Sequence, residues 1–318
     1  MQKVPVFETI AHAYGFAFGR FFQILGIVWA PTVILLAVTL LSNPFFFHHD
    51  AISDPDSLAR MSLRMAPLTL AVTLIARSMM AAGVTELALG THKGPSFVYF
   101  SLGGAVWRFL GAWLLTILVI FVLVIGLAIA MAIAGVIVSI AFNAGNAGGA
   151  GLSKAAIGGL VGLGVLFFYA VLIYVTVRLT VFIPPLVVAE GEVNLARGWQ
   201  LTKGNFWRIF AVGLGIFIPL TIVILALLLI VYGSLFAQYF STIMADMNTH
   251  AGPDAVQKSV EDFQMKMSAA ALGAFPYTAV FGLLSSVFVY GLSYGASVFA
   301  YRAVTDASSG EGMRGTMA

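Results

Sequence analysis

The chain has no cysteine, so it can build no disulfide framework, thiolate metal site, thioether-linked haem or cysteine nucleophile. Charge is almost as scarce. Lys, Arg, Asp and Glu make up 9% of the 318 residues, against about a quarter in soluble domains. With 60% hydrophobic residues and a mean hydropathy of +1.00, that deficit excludes an ordinary soluble globular fold. What is abundant is Leu, Val, Ile, Ala and Phe in unbroken runs. These reach the roughly 20 residues that a helix needs to cross about 30 Å of hydrocarbon. A formal charge of +3 gives no reason to expect nucleic acid as a partner.

Charge-free intervals run from Phe21 to His49, Phe109 to Ser153, Ala155 to Val177, Ile209 to Ala245 and Ser268 to Tyr301. Each holds one span. A sixth falls near Met61 to Met80, where Asp56 or Ser57 can cap a helix start and Arg64 can snorkel to the outer interface. The runs Trp107 to Ala141 and Phe206 to Phe240 lack a polar turn cluster, so each reads as one long helix. The first run has no small-residue cleavage site after it and reads as a retained helix. The fold class expected is an all-α membrane protein with six transmembrane helices.

With six spans, eleven of the sixteen basic residues fall on one side. The positive-inside rule then puts both termini in the cytoplasm, and the expected location is a bacterial inner membrane.

One pattern occurs three times. Tyr14, Gly19, Phe22 and Gln23 share their spacing with Tyr99, Gly104, Trp107 and Arg108, and with Trp199, Gly204, Trp207 and Arg208. Arg77, Arg178 and Arg302 then close the even-numbered spans. Residues 1–305 therefore read as one membrane domain of three two-helix units, about 1–90, 91–190 and 191–305, with a disordered tail over 306–318. Each unit is expected to open with a short amphipathic helix in the interface, bent into the bilayer at its glycine.

The stretch from Arg178 to Arg208 contains an Arg closing a span, Pro184 and Pro185, an acidic residue before Gly191, and the run Arg197-Gly-Trp-Gln-Leu-Thr-Lys-Gly-Asn-Phe-Trp-Arg208. It resembles the membrane domain joined to some bacterial glycerophosphodiester phosphodiesterases and the related stand-alone YciC-like inner-membrane proteins. Gly198 stands where the resemblance leads one to expect Ser. The phosphodiesterase activity is not implied, because its catalytic barrel needs on the order of 250 further residues and a carboxylate-rich metal site. Read from the residues themselves, the same stretch is an interfacial elbow in which proline stops a span. It is either a solvated structural turn or a basic pocket for an anionic headgroup or partner. On the second reading the binding residues are Arg77, Arg178, Glu190, Arg197, Trp199, Lys203, Trp207, Arg208 and Arg302.

Gly291, Ser293 and Gly295 spell the G-x-S-x-G of serine hydrolases. That motif needs a strand–turn–helix elbow, whereas here it lies in a long apolar run and reads as a small-residue packing face. His48, His49 and Asp50 have no third ligand at fixed spacing. No catalytic set, metal or cofactor is expected. The function expected is a non-catalytic scaffold or lipid-interacting factor in envelope maintenance. Its partners would be membrane lipids, or a membrane protein in the scaffold case. Pro31, Pro219 and Pro276 within spans motivate the alternative, a transporter or channel for a lipid or small amphipathic solute.

Overall fold

The structure is a computed structural model that describes residues 3–42, 55–92, 102–147, 154–248 and 253–315. The described residues are helical almost throughout. Helix α1 is Val6–Gly19, α2 is Phe21–Ser42, α3 is Pro55–Leu89, α4 is Gly104–Ala147 and α5 is Lys154–Thr180. A helical turn at Ile183–Pro185 and a π-helical turn at Leu186–Glu190 lead to α6, Leu195–Leu201. Then come α7, Phe206–Asn248, and α8, Pro253–Gly315. Six of these helices are long and apolar enough to cross a membrane. The chain is a multi-pass membrane protein of all-α type.

The two apolar runs of 35 residues each form one uninterrupted helix, α4 and α7. Pro184 and Pro185 end α5 as expected: each lacks the amide donor that would continue the ladder, and α5 stops at Thr180. Two expectations need correction. The sixth span extends beyond Met80 to Leu89. The sequence also reads as a short amphipathic outer-face helix over Met247 to Met267, begun near Pro253, but that helix is not separate, because α8 starts at Pro253 and continues unbroken through Pro276. Its backbone runs on to Gly315, through the segment read from sequence as a tail. The His48–His49–Asp50 loop and the elbow around Tyr99 lie outside the described residues.

Among the described side chains, burial is confined to one end of each of the six long helices. It ends after Thr32 in α2, after Thr116 in α4 and after Ile216 in α7. It begins at Ala76 in α3, at Arg178 in α5 and at Val287 in α8. On the buried side of these boundaries lies a close-packed base. Its four apolar clusters centre on Phe182 and Leu186, on Ile24 and Met80, on Phe109 and Ile183, and on Ala17 and Ile216. On the other side the helices continue as arms with uncovered apolar faces. Ile117, Ile129 and Ile137 on α4, Leu166 and Phe167 on α5, and Ile222, Leu229 and Ile230 on α7 are all exposed. The most hydropathic windows of α4 and α5 contain no buried residue.

Helix α1 docks on α8. Thr9, Ala13 and Ala17 recur every four residues and form one fully buried face of α1. Opposite them are Gly291 and Gly295. A Cβ built on Gly291 lies 3.2 Å from the Ala17 Cβ, and one on Gly295 lies 2.9 Å from Phe16 Cδ1. Small residues on both helices let the backbones approach closely. The G-x-S-x-G run is therefore a packing face inside a helix.

Candidate functional site

The nine residues singled out from the sequence divide into groups in the structure. Arg178 is buried at the floor of the α5–α6 junction, with only 8% of its surface exposed. Its Nε donates to Thr202 Oγ1 at 3.1 Å, one terminal nitrogen to the Tyr174 hydroxyl at 2.7 Å and the other to the Trp199 carbonyl at 3.0 Å. The guanidinium also lies 4.0 Å from the centroid of the Trp199 ring. Three charge-assisted bonds and a cation–π contact satisfy this cation within the protein. It holds the elbow together and is not presented to a headgroup.

Glu190 sits one residue before Gly191, whose left-handed φ of 71° makes the turn out of the π-helical segment. Its carboxylate accepts from the Tyr301 hydroxyl at 2.8 Å and lies 3.8 Å from Arg197. Helix α6 starts at an Asn194 cap whose Oδ1 accepts from the Arg197 amide. After α6, Gly204 takes a φ of 78° and turns the chain into α7. Beside it Asn205 Oδ1 accepts from the Val4 amide at 3.1 Å, while Arg208 donates to the Val4 carbonyl at 3.1 Å. Both backbone polar groups of Val4 are thereby tied to the α6–α7 elbow.

Arg302 belongs to a different junction. Helix α3 ends with Gly90 at a φ of 75°, with the Thr91 amide bonded to the Glu86 carbonyl and the Gly90 amide to that of Leu87. This is the Schellman arrangement. Arg302 donates to the Leu89 carbonyl at 2.8 Å and Arg20 to the Leu87 carbonyl at 3.0 Å. Two cations thus meet the negative end of the α3 dipole. Next to them is a polar recess of about 580 Å³ lined by Arg20, Gln23, Gly90 and His92.

Arg77 stands apart from the others. The sequence reading placed it at the end of its span, yet α3 continues twelve residues further to Leu89, and Arg77 lies near the middle of the Leu63–Leu89 candidate span. The extension is stable because Ala76 and the residues from Ser78 to Leu87, Glu86 excepted, are buried, and the helix packs against α2, α4 and α8. Arg77 itself is exposed, at the level where the base begins, and interacts electrostatically with Tyr290 and Tyr294 of α8. Burial in α5 begins at Arg178 itself, and each arginine precedes a left-handed glycine, Gly90 or Gly191, by thirteen residues.

The outward-facing members are few. Lys203 and Arg197 are exposed, and Trp207 is 75% exposed. Arg108, Trp107, Phe7, Phe18 and Phe22 are also exposed around this end of the bundle. Among the described residues there is no group of three His, Asp or Glu that could hold a metal ion.

Sequence reasoning missed a second feature, a half-open, mainly apolar pocket of about 290 Å³ in the base. It lies between α4, the end of α5, α7 and α8, and reaches from Val4 up to Phe217, the first residue of the α7 arm. Its walls come from segments far apart in sequence, so no local motif could announce it. No protein-family model matches the chain, and no curated protein or solved structure is similar to it.

Proposed function

We propose that the chain is a non-catalytic, lipid-interacting factor of the bacterial inner membrane that serves envelope maintenance, with its base and both termini on the cytoplasmic side. The observation that carries this reading is the confinement of burial to one end of each long helix. Beyond that end α4, α5 and α7 keep their apolar faces uncovered, and in a bilayer the partners for those faces are acyl chains. Exposed Lys203, Arg197 and Arg108 with Trp207 and Trp107 lie at the start of α4 and along the α6–α7 elbow. Cations interleaved with indole rings suit an anionic headgroup layer. The orientation follows from the basic excess at that end.

The test is native mass spectrometry of the protein released from its own membrane. Wild type is expected to retain an anionic phospholipid selectively. The double variant Lys203→Ala, Trp207→Ala is expected to lose that selectivity. Neither side chain hydrogen-bonds elsewhere in the described fold, so the bundle stays intact. An identical lipid complement in both proteins would overturn the headgroup part of the reading. Arg178→Ala is a poor probe of the same idea, because it removes an internal strut.

The second reading is transport of a lipid or small amphipathic solute. Pro67 in α3, Pro31, Pro219 and Pro276 inside helices and the cavity at the foot of the arms favour it. Protein-dependent lipid flip-flop in reconstituted vesicles would support it.

A further inference from the structure

Arg77 sits at a depth where a bilayer gives a cation little to bind. It is twelve residues from Leu89 and fourteen from Leu63, the two ends of its candidate span, which along the helix is about 18 Å and about 21 Å. Its Cα–Cβ bond tilts toward the helix N-terminus, away from the nearer end, so the side chain is not aimed at that interface. Arg77 is exposed, while Ala76 and Ser78 on either side of it are buried. Among the described residues it makes no hydrogen bond and no ion pair, whereas all three guanidinium nitrogens of Arg178 are bonded to protein.

The spans do not supply a counter-ion. Phe21–Ser42, Gly104–Ile140, Phe206–Ile230 and Gly273–Thr305 contain no Asp or Glu, and Gly158–Glu190 has one only at its elbow end. Glu86, the one acidic residue in the span of Arg77, is nine residues further along, about 14 Å away on the helix axis, and lies 3.7 Å from His92. What does surround Arg77 is hydroxyl. Tyr290 and Tyr294 of α8, with ring centroids 5.6 Å apart, both interact electrostatically with it. Neither hydroxyl hydrogen-bonds to a described residue, and neither is a fully enclosed atom.

We infer that Arg77, together with the Tyr290 and Tyr294 hydroxyls, binds the phosphate group of a membrane phospholipid at mid-span depth. No elbow residue takes part, so the inference goes beyond the headgroup reading and rests on the six-span architecture alone. A charged side chain inside the bilayer is costly and pairs with an opposite charge, and here that charge must come from outside the spans. Phosphate is the anion that a phospholipid carries. Its two non-bridging oxygens match the planar guanidinium fork and keep lone pairs for two tyrosine hydroxyls. Lipid has access from the arm side, where Leu68 and Leu70 of the same helix are exposed. A phosphate held there stands between the two headgroup layers, on the route that a lipid takes in crossing from one leaflet to the other.

The test uses the full chain in nanodiscs of phosphatidylethanolamine and phosphatidylglycerol, doped with phosphatidylglycerol that bears a diazirine on its headgroup glycerol. Headgroups of the bulk bilayer meet only the ends of the spans, so photoadducts on the peptides around Arg77 and Tyr290 report this site. Wild type is expected to give them. Arg77→Gln is expected to abolish them and leave adducts at the elbows unchanged, while Arg77→Lys, which keeps the charge without the fork, falls between. Tyr290→Phe combined with Tyr294→Phe is expected to lower them about tenfold, the worth of a hydrogen bond to a charged group. Arg77→Gln should unfold in detergent at the wild-type temperature, because it removes no internal bond. Absence of mid-span adducts from wild type, or adducts indifferent to Arg77→Gln, would overturn the inference. Displacement by inorganic phosphate but not by unlabelled phosphatidylglycerol would overturn the lipid source, and displacement by palmitate alone would overturn the phosphate. The Lys203 and Trp207 variant should leave the mid-span adducts unchanged, so failure at the elbow and failure at Arg77 are separable.

Discussion

Arg178 commits all three of its guanidinium nitrogens inside the fold. Replacing it by Met removes the donor to the buried Thr202 hydroxyl and takes from the Trp199 carbonyl one of its two side-chain donors, the other being Thr202. We predict a loss of about 2 kcal/mol in stability, the scale of hydrogen bonds to a charged group, read as a lower Tm in detergent. Arg178→Lys keeps the charge but not the planar fork and is expected to fall between the two. A Tm for Arg178→Met equal to wild type would mean that the arginine is not a strut. The glycines on α8 make a second residue-scale prediction. Gly295→Leu drives a side chain into Phe16 and Ala13 and is expected to cost about 1–3 kcal/mol, seen as easier proteolysis of α1. Gly273→Leu, at a position with open space around it, serves as the control and is expected to be near neutral.

Among the elements, the junction after α5 shows how two prolines and a serine divide one task. Pro184 and Pro185 stop the helix, and Ser297 from α8 supplies the hydroxyl that the Val181 carbonyl has lost. Ser297→Ala should destabilise the junction by about 1–3 kcal/mol. Adding Pro185→Ala restores an amide four residues from Val181, so the double variant should recover part of the loss in thermal unfolding. Additive losses would contradict this account. The proline stop was legible in sequence because proline acts locally. So were the unbroken helices of 35 apolar residues and the elbows at Gly19 and Gly204, where an aromatic, a glycine, a second aromatic and a polar residue follow at fixed spacing. The inward turn of Arg178 was not legible, because a basic residue at the end of an apolar run has the same sequence signature whether it meets phosphate or protein. Arg77 reads as a span end in sequence because the span expected near Met61 to Met80 closes three residues after it. In the fold that segment is carried onward as helix by packing against α2 and α4.

At the scale of the whole molecule, six spans with a basic elbow end predict a simple topology. In the cysteine-free background, Thr91→Cys and His250→Cys should react with an impermeant maleimide from opposite faces of sealed vesicles, with Thr91→Cys reacting from the cytoplasmic face. Labelling of both from one face would break the six-span arrangement. The division into a packed base and open arms was not legible in sequence. Hydropathy reports that a helix is apolar all round, and α4, α5 and α7 carry little sequence asymmetry to say where protein ends and lipid begins. The cavity at the foot of the arms was hidden for a related reason, since Trp113, Pro184, Ile216 and Ser297 meet only through tertiary packing.

The account depends most on what covers the arms, and spin-label accessibility in nanodiscs measures that directly. Single cysteines from Ile129 to Ile140 on α4 would each carry a nitroxide, with collision rates measured against oxygen, which partitions into hydrocarbon. We predict high oxygen accessibility at the exposed Ile133, Val136, Ile137 and Ile140, with lower values confined to the half-buried Met131 and Val138, because Met131 packs on Gly164 of α5. Protection at Ile133, Val136, Ile137 and Ile140 would mean that a protein surface packs there, and would contradict the lipid-filled arrangement in favour of a scaffold whose arms are occupied by a partner.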